Sequence, residues 1–190
     1  MPLKRATTWL LSGPTASQTA PSGATVIAAA SSEEKAAAAR AAGADIAFRY
    51  PGAPAGDGER REMSALFKDM CPAGAADVVF DGVGGDYTEA ALRAMAPDGR
   101  LLIVGFPAGI PRIPANLVLL KRCQIVGVLY GGFAAENPTA DRVNCDEVIR
   151  LYQAGAIGPL ISGRYPADQA RTAIDQLKHR RAIGKVVVAF

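Results

Sequence analysis

Residues 76–105 read ADVVFDGVGGDYTEAALRAMAPDGRLLIVG, and this stretch decides the fold. Asp77–Phe80 (DVVF) is a short, mostly apolar run of the kind found in buried strands. Tyr87–Met95 is predicted to be helical, and Arg100–Val104 is predicted to be a second buried strand. A strand, a helix and another strand in succession predict a βαβ unit with parallel strands.

The same alternation continues towards the N-terminus. Ala24–Ala29 predicts a short buried strand, and Asp45–Arg49 predicts the next one. Between them, Ser31 with Glu34 three residues later forms a capping box that opens an Ala-rich helix, and Gly43 ends that helix. This region therefore predicts a second βαβ unit.

The remaining elements are predicted from the same patterns. In chain order they are the helices Glu59–Met70 and Ala115–Lys121, the strand Gln124–Tyr130, the helices Thr139–Ala154 and Ala167–Lys178, and the strand Lys185–Phe190. Strands separated by helices indicate a parallel sheet covered on both faces. Since parallel crossovers are right-handed, the sequence predicts an α/β fold with a Rossmann-like, doubly wound sheet.

The composition excludes several functional classes. The chain has 190 residues, of which 49% are hydrophobic and 21% charged, as expected of one globular domain. Its net charge of +3 is too small for a dedicated nucleic-acid binder. No apolar run approaches the roughly 20 residues of a membrane span. The sequence therefore predicts a soluble protein that binds no nucleic acid.

The cysteine and histidine content argues against two further classes. The chain has three cysteines, which form no CxxC pair, and one histidine, His179. A zinc site needs three or four converging ligands, so no metal site is predicted. A serine hydrolase is set aside because there is no GxSxG motif. An odd number of unpaired cysteines also favours a reducing, cytoplasmic location.

Residues 1–22 differ from the rest of the chain in being rich in Ser, Thr and Pro. We predict that they are poorly ordered and that the domain spans residues 23–190. Thr7–Leu11 has the pattern of a short strand. The apolar run Trp9–Leu11 is too short for a secretory signal.

Ligands of such sheets bind beyond the carboxyl ends of the strands, so those turns are the candidate site. An NAD site usually places an acid at the end of the strand that Ala24–Ala29 forms, and no acid occurs there before Glu33. Ser31, Ser32 and Lys35 suit the 2′-phosphate of NADP instead, because that group needs donors and positive charge. The alternative is that Ser31 only caps the helix and Lys35 is solvated.

Tyr50, after the next strand, is a second candidate. It is predicted either to cover the adenine or donate to the same phosphate, or to have no binding role.

The turn Asp81–Gly85, including Gly82, is a third candidate, with glycines that permit close approach and offer N–H groups to an anion. A plain tight turn explains it equally well. The turn Gly105–Gly109 is where a nicotinamide is expected.

The ordered set GATVIAAASSEEK, AAGAD, AADVVFDGVGG, LRAMAPDGRLLIVGFPAG, IPANLVLLKRCQIVGVLYG and RRAIGKVVV resembles one family. It is similar to the medium-chain dehydrogenase/reductases, and within them to the zinc-independent quinone oxidoreductase branch. The resemblance covers about residues 23–190. It implies a cofactor-binding domain that uses NADP.

The resemblance also implies roles for individual residues. The matching positions hold the NADP 2′-phosphate and adenosine (Ser32, Lys35, Tyr50), flank the nicotinamide (Gly105, Phe106), form the next strand end against the cofactor (Leu129, Tyr130) and supply a C-terminal basic pair (Arg181, Lys185). Strand Gln124–Tyr130 is similar to the edge strand through which family members form homodimers. The alternative for that strand is an edge protected by its own helix.

Two departures from the family pattern stand out. Members carry a catalytic domain ahead of the cofactor domain, and a Gly-rich turn whose helix binds the pyrophosphate. Here SGPTASQTAPS, residues 12–22, stands in place of that turn and helix, so we predict a domain truncated at its N-terminus and incomplete at its first βα unit. In a sheet of order 3-2-1-4-5-6 the affected strand is central, and residues 7–12 (TTWLLS) are long enough to replace it.

Two functions are therefore expected from the sequence. The first is an oxidoreductase that transfers hydride from NADPH to a quinone or enone-like acceptor, with no catalytic residue named in this chain. The alternative is a catalytically inactive module that binds NADP weakly or only dimerises.

Overall fold

The computed structural model describes residues 8–12, 24–179 and 181–190, and for residues 8–12 it describes the backbone alone. The chain divides into two compact units, Met1–Asp146 and Glu147–Phe190. The first unit contains the large sheet, and the second contains a small one.

The sheet of the first unit confirms the predicted α/β, Rossmann-like fold. Its strands, in chain order, are β1 (Thr8–Ser12), β2 (Thr25–Ala30), β3 (Ile46–Arg49), β4 (Ala76–Asp81), β5 (Met95–Ile103) and β6 (Gln124–Gly127). They lie in the spatial order β3-β2-β1-β4-β5-β6, and every neighbouring pair is parallel. All the carboxyl ends consequently lie at one edge of the sheet.

The central strand is β1. Trp9 pairs with Val26 of β2 on one side and with Val78 of β4 on the other. Residues 8–12 therefore form the central strand, as the length of segment 7–12 allowed. The residues that follow, 13–23, lie outside the described part of the chain. The predictions of a missing Gly-rich turn and of poor order concern these residues.

The helices described in the first unit are α1 (Glu33–Ala41), α2 (Asp57–Asp69), α3 (Tyr87–Ala94), α4 (Ala115–Lys121) and α5 (Tyr130–Glu136), and α6 (Pro138–Gln153) continues into the second unit. The sequence missed α5, because its second and third residues are glycines, which disfavour helices. Because α5 was not predicted, the predicted strand Gln124–Tyr130 was extended too far. It ends at Gly127, and Tyr130 is the first residue of α5.

The N-cap residue of helix α1 is Ser32, one residue after the predicted cap Ser31. The Lys35 N–H donates to Ser32 Oγ at 3.2 Å, and Ser32 has the extended backbone of an N-cap residue. Ser31 is therefore not the cap. Its Oγ instead lies 3.4 Å from Lys35 Nζ, so the capping explanation for Ser31 was wrong.

The core lies between the sheet and the helices that pack on it. Ile27, Val79 and Leu101 on the strands and Leu92 on α3 are fully buried. Helix α2 packs on the sheet through Met63 and Phe67, which are buried, and Phe67 lies edge-on against Phe48 of β3. This packing fixes the strand ends, on which the candidate site is built.

The second unit contains β7 (Ile161–Pro166), a 3-10 turn (Ala167–Gln169), α7 (Ala170–Lys178) and β8 (Lys185–Ala189). Strands β7 and β8 form a parallel two-stranded sheet, with α7 as the crossover between them. The predicted helix and last strand are confirmed. The sequence missed β7, because ISGRYP is neither a continuous apolar run nor a regular alternation.

Candidate functional site

The candidate site is the edge of the large sheet where β2, β3, β4, β5 and β6 end. The strand order reverses at β1, and in open α/β sheets the crevice at such a reversal is where ligands bind. The residues directly after each strand therefore decide what this edge can hold.

Hydroxyl groups and a lysine follow β2. Ser31 is exposed, and Ser32 and Lys35 are half-buried in the first turn of α1. Lys35 Nζ lies within hydrogen-bonding distance of Ser31 Oγ, so a cation and a hydroxyl face the same point beyond the strand. The first acid, Glu33, forms an ion pair with Arg40. This corner is thus suited to an anion, and its role in binding stays a prediction.

From the sequence, Arg49 was noted only as the end of a predicted strand, without a binding role. It is the last residue of β3, it is exposed, and it is the register partner of Ala30. Neighbouring strands are about 4.8 Å apart, so the backbone of Arg49 lies about that far from Ala30, the residue before Ser31. The pairing of β2 with β3 was the signal that could have identified it, since it brings the two strand ends together.

Tyr50 follows Arg49 but lies in the core. Its exposed fraction is 7%, and its ring packs against that of Tyr87 with centroids 5.1 Å apart. Its N–H donates to the Ala30 carbonyl at 2.9 Å, which continues the β2–β3 pairing by one residue. The predicted contact with the adenosine or its phosphate stays a prediction, now for a side chain that is largely covered by protein.

The turn after β4 is held by a buried carboxylate. Asp81 is 2% exposed, and its Oδ1 accepts hydrogen bonds from the N–H groups of Val83 and Gly84 at 2.9 and 2.8 Å. Gly85 N–H donates to the Gly109 carbonyl at 2.7 Å. These three amides already have partners within the protein. The tight-turn explanation is therefore favoured over the predicted cradle of N–H groups for an anion.

The turns after β4 and β5 lie against each other. A Cβ placed on Gly105 would lie 3.7 Å from the Gly82 carbonyl oxygen, so these two predicted site residues are neighbours. Phe106 comes next and is 52% exposed. The structure thus brings Gly82, Gly105 and Phe106 together at one place on the edge, and leaves an aromatic face uncovered there.

A cleft with both apolar and polar lining follows β6. Apolar and aromatic side chains line it together with two polar ones (Val128, Leu129, Tyr130, Phe133, Glu136, Asn137), and Leu129 is 80% exposed. Tyr130 Oη donates to Asp141 Oδ1 at 2.6 Å, and this hydrogen bond raises the pKa of Tyr130. Leu129 and Tyr130 therefore lie beyond a strand end as predicted, but on the start of a helix.

Arg181 and Lys185 belong to the second unit. Arg181 is exposed between α7 and β8, and Lys185 is the first residue of β8. Their predicted approach to the cofactor stays a prediction.

Metal binding is a separate question. Within residues 8–12, 24–179 and 181–190, no three His, Cys, Asp or Glu side chains converge in a way that could hold a metal ion. Zinc needs three or four such ligands, so the described residues do not fit a zinc ion. In the same part of the chain, no helix combines the length and the apolar character needed to cross a bilayer.

The strand order and the parallel sheet are those of a Rossmann-like cofactor domain. Residues 16–144 match the family described as zinc-binding dehydrogenase. The chain therefore belongs to that family, as the quinone oxidoreductase-like cofactor domain of a medium-chain dehydrogenase/reductase.

Individual relatives support this assignment. The chain is 31% identical over 186 residues to "Quinone oxidoreductase-like protein 2" of Bos taurus, covering 94% of this chain and 53% of the relative. It is 32% identical over 134 residues to the homolog of that protein in Nematostella vectensis, covering 70% of this chain and 37% of the relative. The chain thus spans about half, or less, of these relatives.

A solved structure shows the same fold. A mycobacterial protein complexed with NADPH superimposes with a TM-score of 0.79 at 23% identity, over 100% of this chain and 58% of that one. At this identity the likeness establishes the fold alone.

Proposed function

We propose that this chain binds NADPH as the cofactor domain of an oxidoreductase that transfers hydride to a quinone or an enone-like carbonyl. The observation that carries the proposal is the chemistry at the ends of β2 and β3. Ser31, Lys35 and Arg49 lie where an NAD site has an acid, and Glu33 is occupied by Arg40. Donors and positive charge there suit a 2′-phosphate.

The remaining strand ends suit the other half of the cofactor. A dinucleotide lies across the strand-order reversal with one mononucleotide on each side. With the 2′-phosphate over β2 and β3, the nicotinamide half falls beyond β4 and β5, beside Phe106. NADPH supplies the hydride, while this chain's residues bind and orient it and exclude water.

The choice of acceptor rests on relatives and on surface chemistry. The relatives are named as quinone oxidoreductase-like proteins. Phe106, Leu129 and Tyr130 offer exposed apolar and aromatic surface beyond β5 and β6. Such surface suits a planar, weakly polar acceptor.

We call Ser31, Lys35 and Arg49, at the ends of β2 and β3, the phosphate corner. Replacing Lys35 with alanine tests its role. We expect the Kd for NADPH to rise about 10- to 30-fold, because one charge-assisted contact with the phosphate is lost. The Kd for NADH is expected to stay within about twofold, since NADH lacks that phosphate. Isothermal titration calorimetry of the full chain measures both.

Lys68→Ala is the matched control. Lys68 lies in the last turn of α2, at the opposite edge of the sheet, and its loss changes the net charge by the same amount. NADPH affinity is expected to be unchanged in this variant. Equal weakening of NADPH and NADH by Lys35→Ala would remove the support for a phosphate contact, and a wild-type chain that binds neither nucleotide would refute the proposed function.

The exposed surface around β6 favours a second candidate, a non-catalytic module that forms homodimers. β6 is an edge strand of the large sheet. Large apolar side chains are exposed on β6, on the segment that follows it and on the helices α4 and α5, namely Leu119, Leu120, Val126, Val128, Leu129 and Phe133. An uncovered strand edge with apolar neighbours is a ready template for pairing with a second copy.

Replacing Val126 with lysine tests this association. We expect the wild-type chain to sediment as a dimer, and the variant's dimer dissociation constant to rise by roughly tenfold or more, since an unpaired ammonium is costly to bury. Val143→Lys, on α6 and also exposed, is the control. A wild-type chain that stays monomeric at about 100 μM, well above typical homodimer Kd values, excludes the dimer. A dimer that oxidises no NADPH with a quinone favours the second candidate.

We also propose a reducing, cytoplasmic location. Cys71, Cys123 and Cys145 are all free thiols. Burial, reinforced by the nearby Asp77, raises the pKa of Cys71 to about 11, so it is an inert core thiol.

A further inference from the structure

We infer that Asp81 and Gly84 are positioning residues that fix the loop bearing Phe106 against the turn after β4, and thereby set the surface on which the nicotinamide half of the cofactor rests. This inference rests on the proposed function for its ligand. Its structural part, the fixing of the loop, does not.

Asp81 ties three segments together. Its side chain accepts from Val83 and Gly84 in its own turn, and its Oδ2 accepts from Thr88 Oγ1 of α3 at 2.5 Å. Its backbone carbonyl accepts from Val104 N–H at 2.9 Å, at the end of β5. One buried residue therefore sets the turn, the start of α3 and the exit of β5.

Gly84 permits the close approach of the loop. Its φ is +72°, and a Cβ placed on it would lie 2.5 Å from Phe106 Cβ and 2.8 Å from the Gly109 carbonyl oxygen. Real Cβ atoms essentially never come within 3.0 Å of such neighbours. Any side chain at position 84 would thus displace Phe106 and the backbone at Gly109, and would also be strained at this φ.

Backbone hydrogen bonds join the two turns on either side of Gly84. Ala108 N–H donates to the Val83 carbonyl at 2.9 Å, and Gly85 N–H donates to the Gly109 carbonyl at 2.7 Å. A Cβ on Gly85 would meet the Ala108 carbonyl oxygen at 2.8 Å. The loop 105–109 is therefore pinned to the turn 82–85 through Ala108 and Gly109, and Phe106, just before them, is 52% exposed.

The pinned loop lies where the nicotinamide half is proposed to bind. The phosphate corner is at β2 and β3, on the other side of the strand-order reversal at β1. A change at Gly84 should consequently weaken only those contacts that the nicotinamide half makes. Adenosine 2′,5′-bisphosphate, which has no nicotinamide, is the probe that separates the two halves.

The test compares NADPH with this fragment on the full chain carrying Gly84→Ala. We expect the Kd for NADPH to rise at least about tenfold, since small displacements of positioning groups have effects of that size or larger. The Kd for adenosine 2′,5′-bisphosphate is expected to stay within about twofold, because its contacts lie over β2 and β3. Gly58→Ala, where an added Cβ meets nothing within 4 Å, is the control that should change neither value.

Hydrogen exchange provides a readout that needs no ligand. In Gly84→Ala, the amides of Gly85 and Ala108 are expected to exchange at least about tenfold faster, while the amides that pair β2 with β3 keep their protection. If Gly84→Ala does not fold, Asp81→Asn takes its place. It keeps an acceptor for Val83 and Gly84 but loses the charge that strengthens these hydrogen bonds, and a smaller effect of the same kind is expected.

Three outcomes would overturn the inference: unchanged exchange at Gly85 and Ala108, unchanged NADPH affinity in Gly84→Ala, or equal weakening of NADPH and the fragment. A wild-type chain that binds neither probe refutes the proposed function instead. In that case the exchange experiment alone decides whether Asp81 and Gly84 fix the loop.

Discussion

Replacing Asp81 with alanine is expected to lower the free energy of unfolding by about 3–5 kcal/mol. The buried carboxylate accepts hydrogen bonds from Val83 N–H, Gly84 N–H and Thr88 Oγ1, and alanine leaves all three donors without that acceptor. Each buried donor left unsatisfied costs about 1–3 kcal/mol, and relaxation of the turn recovers part of this. Urea unfolding followed by circular dichroism measures the change.

Two other substitutions sharpen the result. Asp81→Asn keeps one side-chain acceptor and is expected to lose less than about half as much stability as the alanine variant. Asp146→Ala removes an exposed acid, and its effect is expected to stay within about 0.5 kcal/mol. A loss below about 1 kcal/mol for Asp81→Ala would mean that the turn finds other acceptors, such as water, at little cost.

Replacing Tyr50 with alanine is expected to cost about 3–5 kcal/mol, as for other large buried aromatic residues. Its ring packs against Tyr87 and lines the same small cavity as Phe67 and Asp81, so the substitution opens a void beside the turn after β4. Thermal and urea denaturation of the two chains give the difference.

Tyr50→Phe separates the ring from the hydroxyl. It retains the aromatic pair with Tyr87 and is expected to stay within about 1.5 kcal/mol of the wild type. Equal losses in the phenylalanine and alanine variants would show that the hydroxyl, and not the packing of the ring, determines the stability at this position.

Sequence patterns were sufficient wherever an element is continuous and apolar. The βαβ stretch at residues 76–105 located β4, α3 and β5, and residues 7–12 were recognised as long enough to supply a strand at the centre of the sheet. Sequence patterns failed where glycines or polar residues interrupt an element. Helix α5 contains Gly131 and Gly132, and β7 has no apolar run.

The candidate site was predictable only in part. Hydroxyls and a lysine after β2 can be read from the sequence, because they are adjacent in the chain. Arg49 depends on the pairing of β2 with β3, and the burial of Tyr50 depends on α3 packing against it. The Gly85 amide after β4 has its partner in a loop about 25 residues further on, and no local pattern reveals that contact. The acceptor for Val83 and Gly84 is Asp81 in the same turn, a local side-chain-to-backbone pattern that was not used.

The central position of β1 has a consequence for synthesis on the ribosome. Among the described strands β1 is made before β2 and β4, and its partner in β4 follows much later, since Trp9 pairs with Val78. At roughly 5–20 residues per second, several seconds pass before that partner is made, and during this time β2 is the one native partner of β1 already synthesised. The sheet therefore closes late and through contacts distant in the chain, which slows folding. A chaperone that shields the first strand during elongation would be expected to raise the yield of native protein.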